Sequence, residues 1–243
     1  MKERNQHFIY PDLNTLASAL VCEFSKFLGS ASHHQRPLHL ALSGGSTPLA
    51  IYRKLRETIP REEWSDISIY WGDERCVHPE NLQSNFGQAR SILLEWLDLP
   101  GKQVYRIRGE ADPVEEAARY GRLLKEKLPG ENGIPVFDWI LLGLGEDGHT
   151  ASIFPGQIEL WNSDDPCVVT SHPLSGQKRI SISGRVINAA RRVSFIVSGR
   201  SKQTVVANLI KKQERYAEMP ASLVAPASGW LEWYMDQEAA SGL

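Results

Sequence analysis

The chain has 243 residues, and its 27 lysines and arginines nearly balance its 29 aspartates and glutamates, for a net charge of −2 at pH 7. This balance argues against a protein that binds nucleic acid or an acidic membrane surface through its overall charge. The length is typical of one large domain or two small ones, and we expect a single domain over residues 1–243.

The three cysteines are widely spaced, and the sequence contains neither a CxxC pair nor a Cys/His ligand pattern. Neither a disulfide framework nor a zinc site is therefore indicated, and reduced cysteines fit the cytoplasm. The first seven residues carry charges with no apolar signal core behind them, and no run of about 18 apolar residues predicts a membrane span. We therefore expect a cytoplasmic protein without a membrane partner.

Apolar periodicity predicts helices and strands that alternate along the chain. Apolar spacing of three and four residues predicts helices over 12–29, 47–57, 84–96, 112–127 and 201–211. Short apolar runs predict strands over 38–42, 67–71, 136–142, 167–171, 179–183, 193–198 and 230–234. This alternation predicts an α/β fold, with a mostly parallel, Rossmann-like three-layer sheet and helices on both faces. The stretch 155–178, rich in Pro, Gly, Ser and Asp, is expected to form a small additional subdomain or excursion.

The segment 138–149 joins an apolar run to a loop of three glycines that carries Asp147 and His149. Open α/β sheets place their chemistry in loops that follow buried strands, which favours a catalytic loop. Residues 143–148 also match the dinucleotide pattern G-x-G-x-x-G, but Pro155 and Gly156 leave room for little more than one helical turn after the last glycine. A plain structural turn is the other alternative.

A second glycine loop, Ser43-Gly44-Gly45-Ser46-Thr47, lies between a predicted strand and a predicted helix. Backbone N–H groups at a helix N-terminus are free to bind an anion, and the helix dipole favours negative charge there. The loop lacks the Lys-Ser/Thr pair of a Walker A motif. It is therefore interpreted as a phosphate-binding loop, with a flexible, capped helix start as the alternative.

Charged and polar side chains lie at the ends of the other predicted strands. Asp73 and Arg75 follow the strand 67–71, where the alternatives are a solvated ion-paired turn and a forked contact of Arg75 with phosphate or carboxylate. Asn85 lies in a polar stretch that could line the same crevice, and Arg179 begins another strand. Lys202 lies near the start of a predicted helix, where a cation opposes the dipole unless an anion binds.

Because the carboxyl ends of parallel strands share one edge of a sheet, these groups are expected to meet there. Together they favour a small phosphorylated substrate held by cations and backbone amides. Histidine side chains titrate near neutral pH, so His149 is a candidate general base.

The chain resembles the 6-phosphogluconolactonase family over nearly its whole length. The resemblance rests on several blocks in the family's order, namely residues 42–48, 72–75 with 84–85, 142–156, 179–181, 198–202 and 220–224. It implies hydrolysis of 6-phosphoglucono-δ-lactone to 6-phosphogluconate in the pentose phosphate pathway, with no cofactor and no metal. It also implies the α/β sheet found in glucosamine-6-phosphate deaminases and ribose-5-phosphate isomerases. The partner is expected to be the small-molecule substrate, and the protein a monomer or weak homo-oligomer.

By this resemblance, His149 is the base that activates water, and Asp147 orients or tunes it. The residues expected to bind the substrate or its phosphate are Ser43, Gly44, Gly45, Ser46, Thr47, Asp73, Arg75, Asn85, Arg179 and Lys202. The resemblance leaves open which cation meets the phosphate and which meets the lactone carbonyl. The segment 172–178 departs from the family in having fewer prolines, and its His172 is interpreted as a surface histidine.

Two alternatives to a lactonase remain. A glucosamine-6-phosphate deaminase or related isomerase shares the glycine loop and the Gly-x-Asp-Gly-His block, but carries a glutamate soon after that histidine. Here residues 151–155 contain no acid. A sugar-phosphate sensor without catalytic activity could dispense with Asp147 and His149, which this chain retains.

Overall fold

In the computed structural model, residues 5–30, 36–99, 101–128 and 130–243 are described. The main sheet has seven parallel strands: β1 (Asn5–Tyr10), β2 (Leu38–Leu42), β3 (Ile67–Trp71), β5 (Val104–Tyr105), β6 (Trp139–Leu142), β9 (Arg192–Val197) and β10 (Trp230–Asp236). Their order across the sheet is β1-β10-β9-β6-β2-β3-β5. The predicted α/β fold with a mostly parallel sheet is confirmed.

Every residue of β2, β3 and β6 is buried. Near-continuous apolar strands are typical of parallel sheets that helices cover on both faces. The helices are α1 (Leu13–Gly29), α2 (Ser46–Thr58), α3 (Asn85–Ala89), α4 (Glu95–Leu97), α5 (Pro113–Lys127), α6 (Gly184–Ala189) and α7 (Gln203–Ile210).

A second, three-stranded antiparallel sheet has the order β4-β8-β7, formed by β4 (Asp73–Arg75), β7 (Cys167–Ser171) and β8 (Lys178–Ile182). It packs against α5. The stretch 155–178 was predicted to be an excursion, and it supplies β7 and the turn that leads to β8. This small sheet matters for the site because it places residue 75 directly opposite residue 179.

Some elements differ from those that the periodicity predicts. Strands β1, β4 and β5 and helix α6 are absent from the prediction, and the predicted strand 136–142 is shorter, at Trp139–Leu142. Strand β1 lies at the edge of the sheet, where its residues alternate between exposed and half-buried, and β4 and β5 have only three and two residues. Such strands are defined by their partners, since their own sequences carry too little apolar pattern.

The predicted helix 84–96 contains a π-helical turn, Arg90–Leu94, between α3 and α4. Ser84 caps its start by accepting a hydrogen bond from the Gly87 backbone N–H. The helix predicted over 201–211 begins as the 3₁₀ turn Arg200–Lys202 and continues as α7.

Candidate active site

Loops at the carboxyl ends of β2, β3, β6 and β9 form a crevice with an inner pocket of about 190 Å³. This is the edge of a parallel sheet where ligands bind. Nine of the residues predicted for the site line the pocket: Ser43, Gly44, Gly45, Asp73, Arg75, Asn85, His149, Arg179 and Lys202. Its other lining residues are Gly143, Leu144, Gly145 and Ala151.

The glycine loop 43–47 is held against α2 by Tyr52, whose buried hydroxyl donates to the Ser43 carbonyl at 2.7 Å and accepts from the Ser43 N–H at 3.1 Å. Gly45 has a φ of 108°, a left-handed conformation that favours glycine. A Cβ on Gly44 would lie 1.8 Å from Oδ1 of Asn85, so the backbone at Gly44 approaches that side chain closely.

Two residues of this loop do not line the pocket. Ser46 is exposed as the first residue of α2, and the Thr47 hydroxyl lies 2.7 Å from the Ser198 hydroxyl. The structure therefore gives Thr47 a contact that joins the ends of β2 and β9. Binding by Ser46 or Thr47 stays a prediction.

Asp73 and Asn85 form a buried polar cluster at the base of the pocket. Oδ2 of Asp73 accepts a hydrogen bond from the buried Ser152 hydroxyl at 2.5 Å, and Nδ2 of Asn85 donates to the Asp73 carbonyl at 3.0 Å. The Asn85 Oδ1 and Ser43 Oγ atoms are buried and lack hydrogen-bond partners among the described residues. Because buried polar atoms are almost always satisfied, these two are candidates for contacts with a ligand.

The buried carboxylate of Glu74 holds together the segments that carry Arg75 and Asn85. It accepts hydrogen bonds from the backbone N–H groups of Arg75, Asn85 and Phe86 at 2.7–2.8 Å and from the Ser84 hydroxyl at 3.0 Å. Burial raises the pKa of Glu74, although these backbone hydrogen bonds favour the charged form. Glu74 therefore fixes both Arg75 and the start of α3.

Arg75 and Arg179 are cross-strand partners on β4 and β8. Like charges that face each other across a sheet are unfavourable, and burial together with the charge of Arg75 lowers the pKa of Arg179. Both Nε atoms are buried without a hydrogen-bond partner in the described part of the chain, although Arg75 Nη1 donates to the Gln83 carbonyl at 2.6 Å. An anion between the two guanidinium groups would relieve this repulsion and satisfy both atoms.

Asp147 and His149 form a hydrogen-bonded pair, with 2.6 Å between Asp147 Oδ1 and His149 Nδ1. The same carboxylate oxygen accepts the His149 backbone N–H at 3.1 Å. Burial raises the pKa of Asp147, but its contacts with His149 outweigh that effect and leave the pKa below its usual value. Since the Asp147 carboxylate accepts a hydrogen bond from the Nδ1–H group, the neutral ring keeps its lone pair on Nε2.

Glycine is required next to this pair. A Cβ on Gly145 would lie 2.1 Å from His149 Nδ1 and 2.5 Å from Asp147 Oδ1. Gly148 has a φ of 86°, and its Cβ would lie 2.4 Å from Met219 Cγ. The helix that a dinucleotide site needs after the last glycine does not form, since 149–157 is turn and bridge. The glycines of the loop 143–149 thus make room for the Asp147–His149 pair.

Lys202 ends the 3₁₀ turn before α7, and its Nζ lies 3.9 Å from Oε1 of Glu146. It therefore stands beside the loop 143–149. Beyond it, an outer groove of about 730 Å³ shares Gly145, His149 and Lys202 with the inner pocket. Asp147 lines this outer groove.

Three further residues contribute to the site without having been predicted for it: Ser152, Glu74 and Phe154. Ser152 and Phe154 lie in the block 142–156, but a serine or phenylalanine carries no sign of its contacts. Only the fold shows that the Phe154 ring packs 4.6 Å from the His149 ring and that Arg179 lies 5.4 Å from its centre. Ser152 is fully buried and joins the loop 143–156 to Asp73.

No helix in the described ranges is long and apolar enough to cross a membrane. Among the described residues, no three His, Cys, Asp or Glu side chains cluster so that they could hold a metal ion.

Glycine amides and an aspartate–histidine pair at the strand ends of a parallel sheet, with two paired arginines on the adjoining small sheet, are typical of an α/β enzyme for a small phosphorylated substrate. Residues 11–233 match the family model described as glucosamine-6-phosphate isomerases/6-phosphogluconolactonase, and the chain belongs to this family.

The curated relatives include the 6-phosphogluconolactonase of Treponema pallidum (strain Nichols), with 41% identity over 92% of both chains. That of Haemophilus influenzae is 37% identical over 86% of this chain and 88% of its own. Among solved structures, the 6-phosphogluconolactonase from Trypanosoma brucei superposes with a TM-score of 0.88 at 30% identity, over 98% of both chains. A monomeric glucosamine-6-phosphate deaminase, at 21% identity and a TM-score of 0.80 over 98% of this chain and 100% of its own, shares the fold.

Proposed function

We propose that the protein hydrolyses 6-phosphoglucono-1,5-lactone to 6-phosphogluconate, with His149 as the general base and without a metal ion. The observation that carries this proposal is the Asp147–His149 pair at the rim of a pocket whose other wall holds two facing arginines. The names of the curated relatives support the same reaction.

In the proposed mechanism, Nε2 of His149 takes a proton from water as the water oxygen attacks the lactone carbonyl carbon. Asp147 holds the ring by its Nδ1 proton and stabilises the imidazolium. The tetrahedral intermediate then collapses and the bond to the ring oxygen breaks. The imidazolium returns its proton to the departing alkoxide, which gives the open-chain acid.

The paired arginines supply the phosphate site in this proposal. The phosphate is the permanent anion of the substrate, and Arg75 and Arg179 have the unsatisfied buried donors and the mutual repulsion that an anion would relieve. Lys202, next to Glu146 on the loop 143–149, then lies nearer the reacting carbonyl. There a cation, together with the amides of Gly44 and Gly45, would stabilise the developing oxyanion, and one such donor is worth about 10²–10³ in rate.

A lactonase assay on the whole chain tests the proposal, with the spontaneous hydrolysis of the lactone subtracted. We expect His149→Ala to lower the enzyme-catalysed rate by about 10²–10⁴ while the product still binds. An unchanged rate would remove His149 from the mechanism. A full rate in the presence of a chelator is expected, and its loss would contradict metal independence.

Two further assays address the substrate. Equal rates on the phosphorylated and unphosphorylated lactones would contradict the role of Arg75 and Arg179. Release of ammonia from glucosamine 6-phosphate would favour the deaminase instead, although the residues after His149 supply no acid for ring opening.

We also propose that residues 1–243 form one domain, because a single cluster of buried residues runs from Leu16 to Ala240. The cytoplasmic location and the monomeric or weakly oligomeric state stay predictions.

A further inference from the structure

His172 lies in the turn between β7 and β8, and its ring is part of that turn. Nδ1 of His172 accepts hydrogen bonds from the backbone N–H groups of Leu174 at 3.3 Å and Ser175 at 3.2 Å. The backbone of His172 closes the turn as well, donating to Gln177 and accepting from Gly176, both at 2.9 Å. An imidazole nitrogen that accepts two N–H groups carries no proton, so the neutral ring has its proton on Nε2.

The two histidines of the crevice therefore have opposite tautomers. His149 donates through Nδ1 to Asp147 and keeps a lone pair on Nε2, whereas His172 accepts at Nδ1 and keeps a proton on Nε2. No hydrogen bond to Nε2 of His172 is formed within the described part of the chain. This N–H group remains available as a donor.

The ring of His172 is half-exposed and lies at the edge of the crevice. It packs edge-on against Phe154 at 5.2 Å, and Phe154 packs against His149 at 4.6 Å. His172 lines the outer groove together with Asp147, His149 and Lys202. Burial and the positive charge of Arg179 lower the pKa of His172, while Asp147 opposes this, and the net effect favours the neutral ring.

We infer that His172 is a substrate-binding residue whose Nε2–H donates a hydrogen bond to a hydroxyl oxygen of the sugar-lactone ring. This inference rests on the proposed function. If the phosphate lies between Arg75 and Arg179 and the carbonyl lies at His149, the carbonyl is at the boundary between the inner pocket and the outer groove. The ring hydroxyls near the carbonyl then face the outer groove, where His172 supplies a neutral donor. A half-exposed ring agrees with the surface position predicted for His172, and the inference adds a role at that position.

Three variants separate the features of the ring. His172→Gln can place an amide N–H near the position of Nε2 but cannot cap the turn in the same way. His172→Asn keeps an acceptor for the backbone N–H two residues on, as in an Asx-turn, but has no group near Nε2. His172→Phe keeps the contact with Phe154 and loses both nitrogens. Ser175→Ala is the matched control, because it keeps the backbone N–H group that donates a hydrogen bond to Nδ1 of His172.

The readouts are kcat and KM for the phosphorylated lactone, with the affinity for 6-phosphogluconate measured by calorimetry. We expect His172→Asn and His172→Phe to raise KM about tenfold, the effect of one lost hydrogen bond, with kcat within about threefold of the original protein. His172→Gln is expected to keep KM within about threefold, and Ser175→Ala to leave both constants unchanged.

If His172→Asn kept the KM of the original protein while His172→Gln raised it, the inference would be overturned. Substrate binding would then depend only on the hydrogen bonds within the turn. Equal KM in all variants would overturn it too, as would a loss of kcat at unchanged KM. The calorimetry separates this inference from the proposed function. If the original chain binds 6-phosphogluconate but does not hydrolyse the lactone, the reaction is wrong, and the order of affinities among the variants still tests His172.

Discussion

Gly145→Ala is the substitution that tests most directly how the loop 143–149 holds its aspartate–histidine pair. The added methyl group would lie 2.1 Å from His149 Nδ1, 2.3 Å from His149 Cε1 and 2.5 Å from Asp147 Oδ1. Ordinary contacts of a Cβ begin at 3.4 Å, so the imidazole has to move by about 1.3 Å or the loop backbone has to shift. Either movement separates Nδ1 of His149 from the Asp147 carboxylate.

The size of the effect follows from that displacement. A misplacement of about 1 Å in a catalytic group lowers the rate by about 10²-fold. Loss of a hydrogen bond to a charged group costs about 1.5–3 kcal/mol, and part of this cost lowers the free energy of unfolding. We therefore expect kcat/KM to fall by about 10²-fold, with a much smaller change in the affinity for the product, because the arginines and the glycine loop 43–47 stay in place.

The assay is lactone hydrolysis above the spontaneous rate, together with the melting temperature and product affinity of the same preparation. Gly72→Ala is the matched control, since its Cβ would lie 3.7 Å from the Leu42 carbonyl oxygen and 3.8 Å from Ile182 Cδ1, which are ordinary contacts. It should keep its activity. A Gly145→Ala protein that is folded and as active as the original would refute the assignment of the Asp147–His149 pair to the chemistry.

Three other predictions concern the support of the site and the sheet. Burial lowers the pKa of His39 to about 4, so the folded chain binds fewer protons than the unfolded chain between pH 4 and 6.5; the free energy of unfolding should fall as the pH is lowered through this window, by at most ~1.4 kcal/mol per pH unit. His39→Gln should flatten that slope in denaturant titrations, and an unchanged slope would contradict the assignment. Tyr52→Phe removes both hydrogen bonds to Ser43, so it should lower the free energy of unfolding by about 1–2 kcal/mol and raise KM. An unchanged KM would show that substrate binding does not require these hydrogen bonds to the glycine loop. Glu74→Gln leaves a buried backbone donor without its acceptor and should cost about 1–3 kcal/mol of stability and weaken substrate binding through Asn85, so a melting temperature equal to that of the original protein would argue against this role.

Much of the fold could be predicted from short stretches of the sequence. Strands β2 and β3 are entirely buried and match the predicted ranges, because a continuous apolar run bounded by turn residues leaves little freedom in where a buried strand begins and ends. Helix α5 spans Pro113–Lys127, where a helix over 112–127 was predicted, and Asp112 caps its start. In contrast, β1 has no such pattern, and it becomes a strand only through its register with β10.

The candidate site could likewise be predicted from the sequence only in part. The residue types at the strand ends, among them Asp147, His149, Arg75 and Lys202, are visible in the sequence because charged groups after apolar runs are unusual. The pairing of Arg75 with Arg179 is not visible there, since it depends on the register of two strands more than 100 residues apart. Ser152 and His172 have no distinctive pattern, and their contacts with Asp73 and the turn 172–177 are set by packing.

The sequence by itself therefore predicted the parallel sheet, because apolar periodicity and turn composition act over a few neighbouring residues. The family was indicated by the resemblance of its motif blocks, and that resemblance also supplied the predicted site residues. The tertiary structure decided which of those residues meet. It placed Ser46 and Thr47 outside the pocket lining, set Arg75 against Arg179, and brought His172 into the groove beside His149. These contacts join distant segments, so their geometry depends on how the strands are ordered and paired, which no short stretch of sequence specifies.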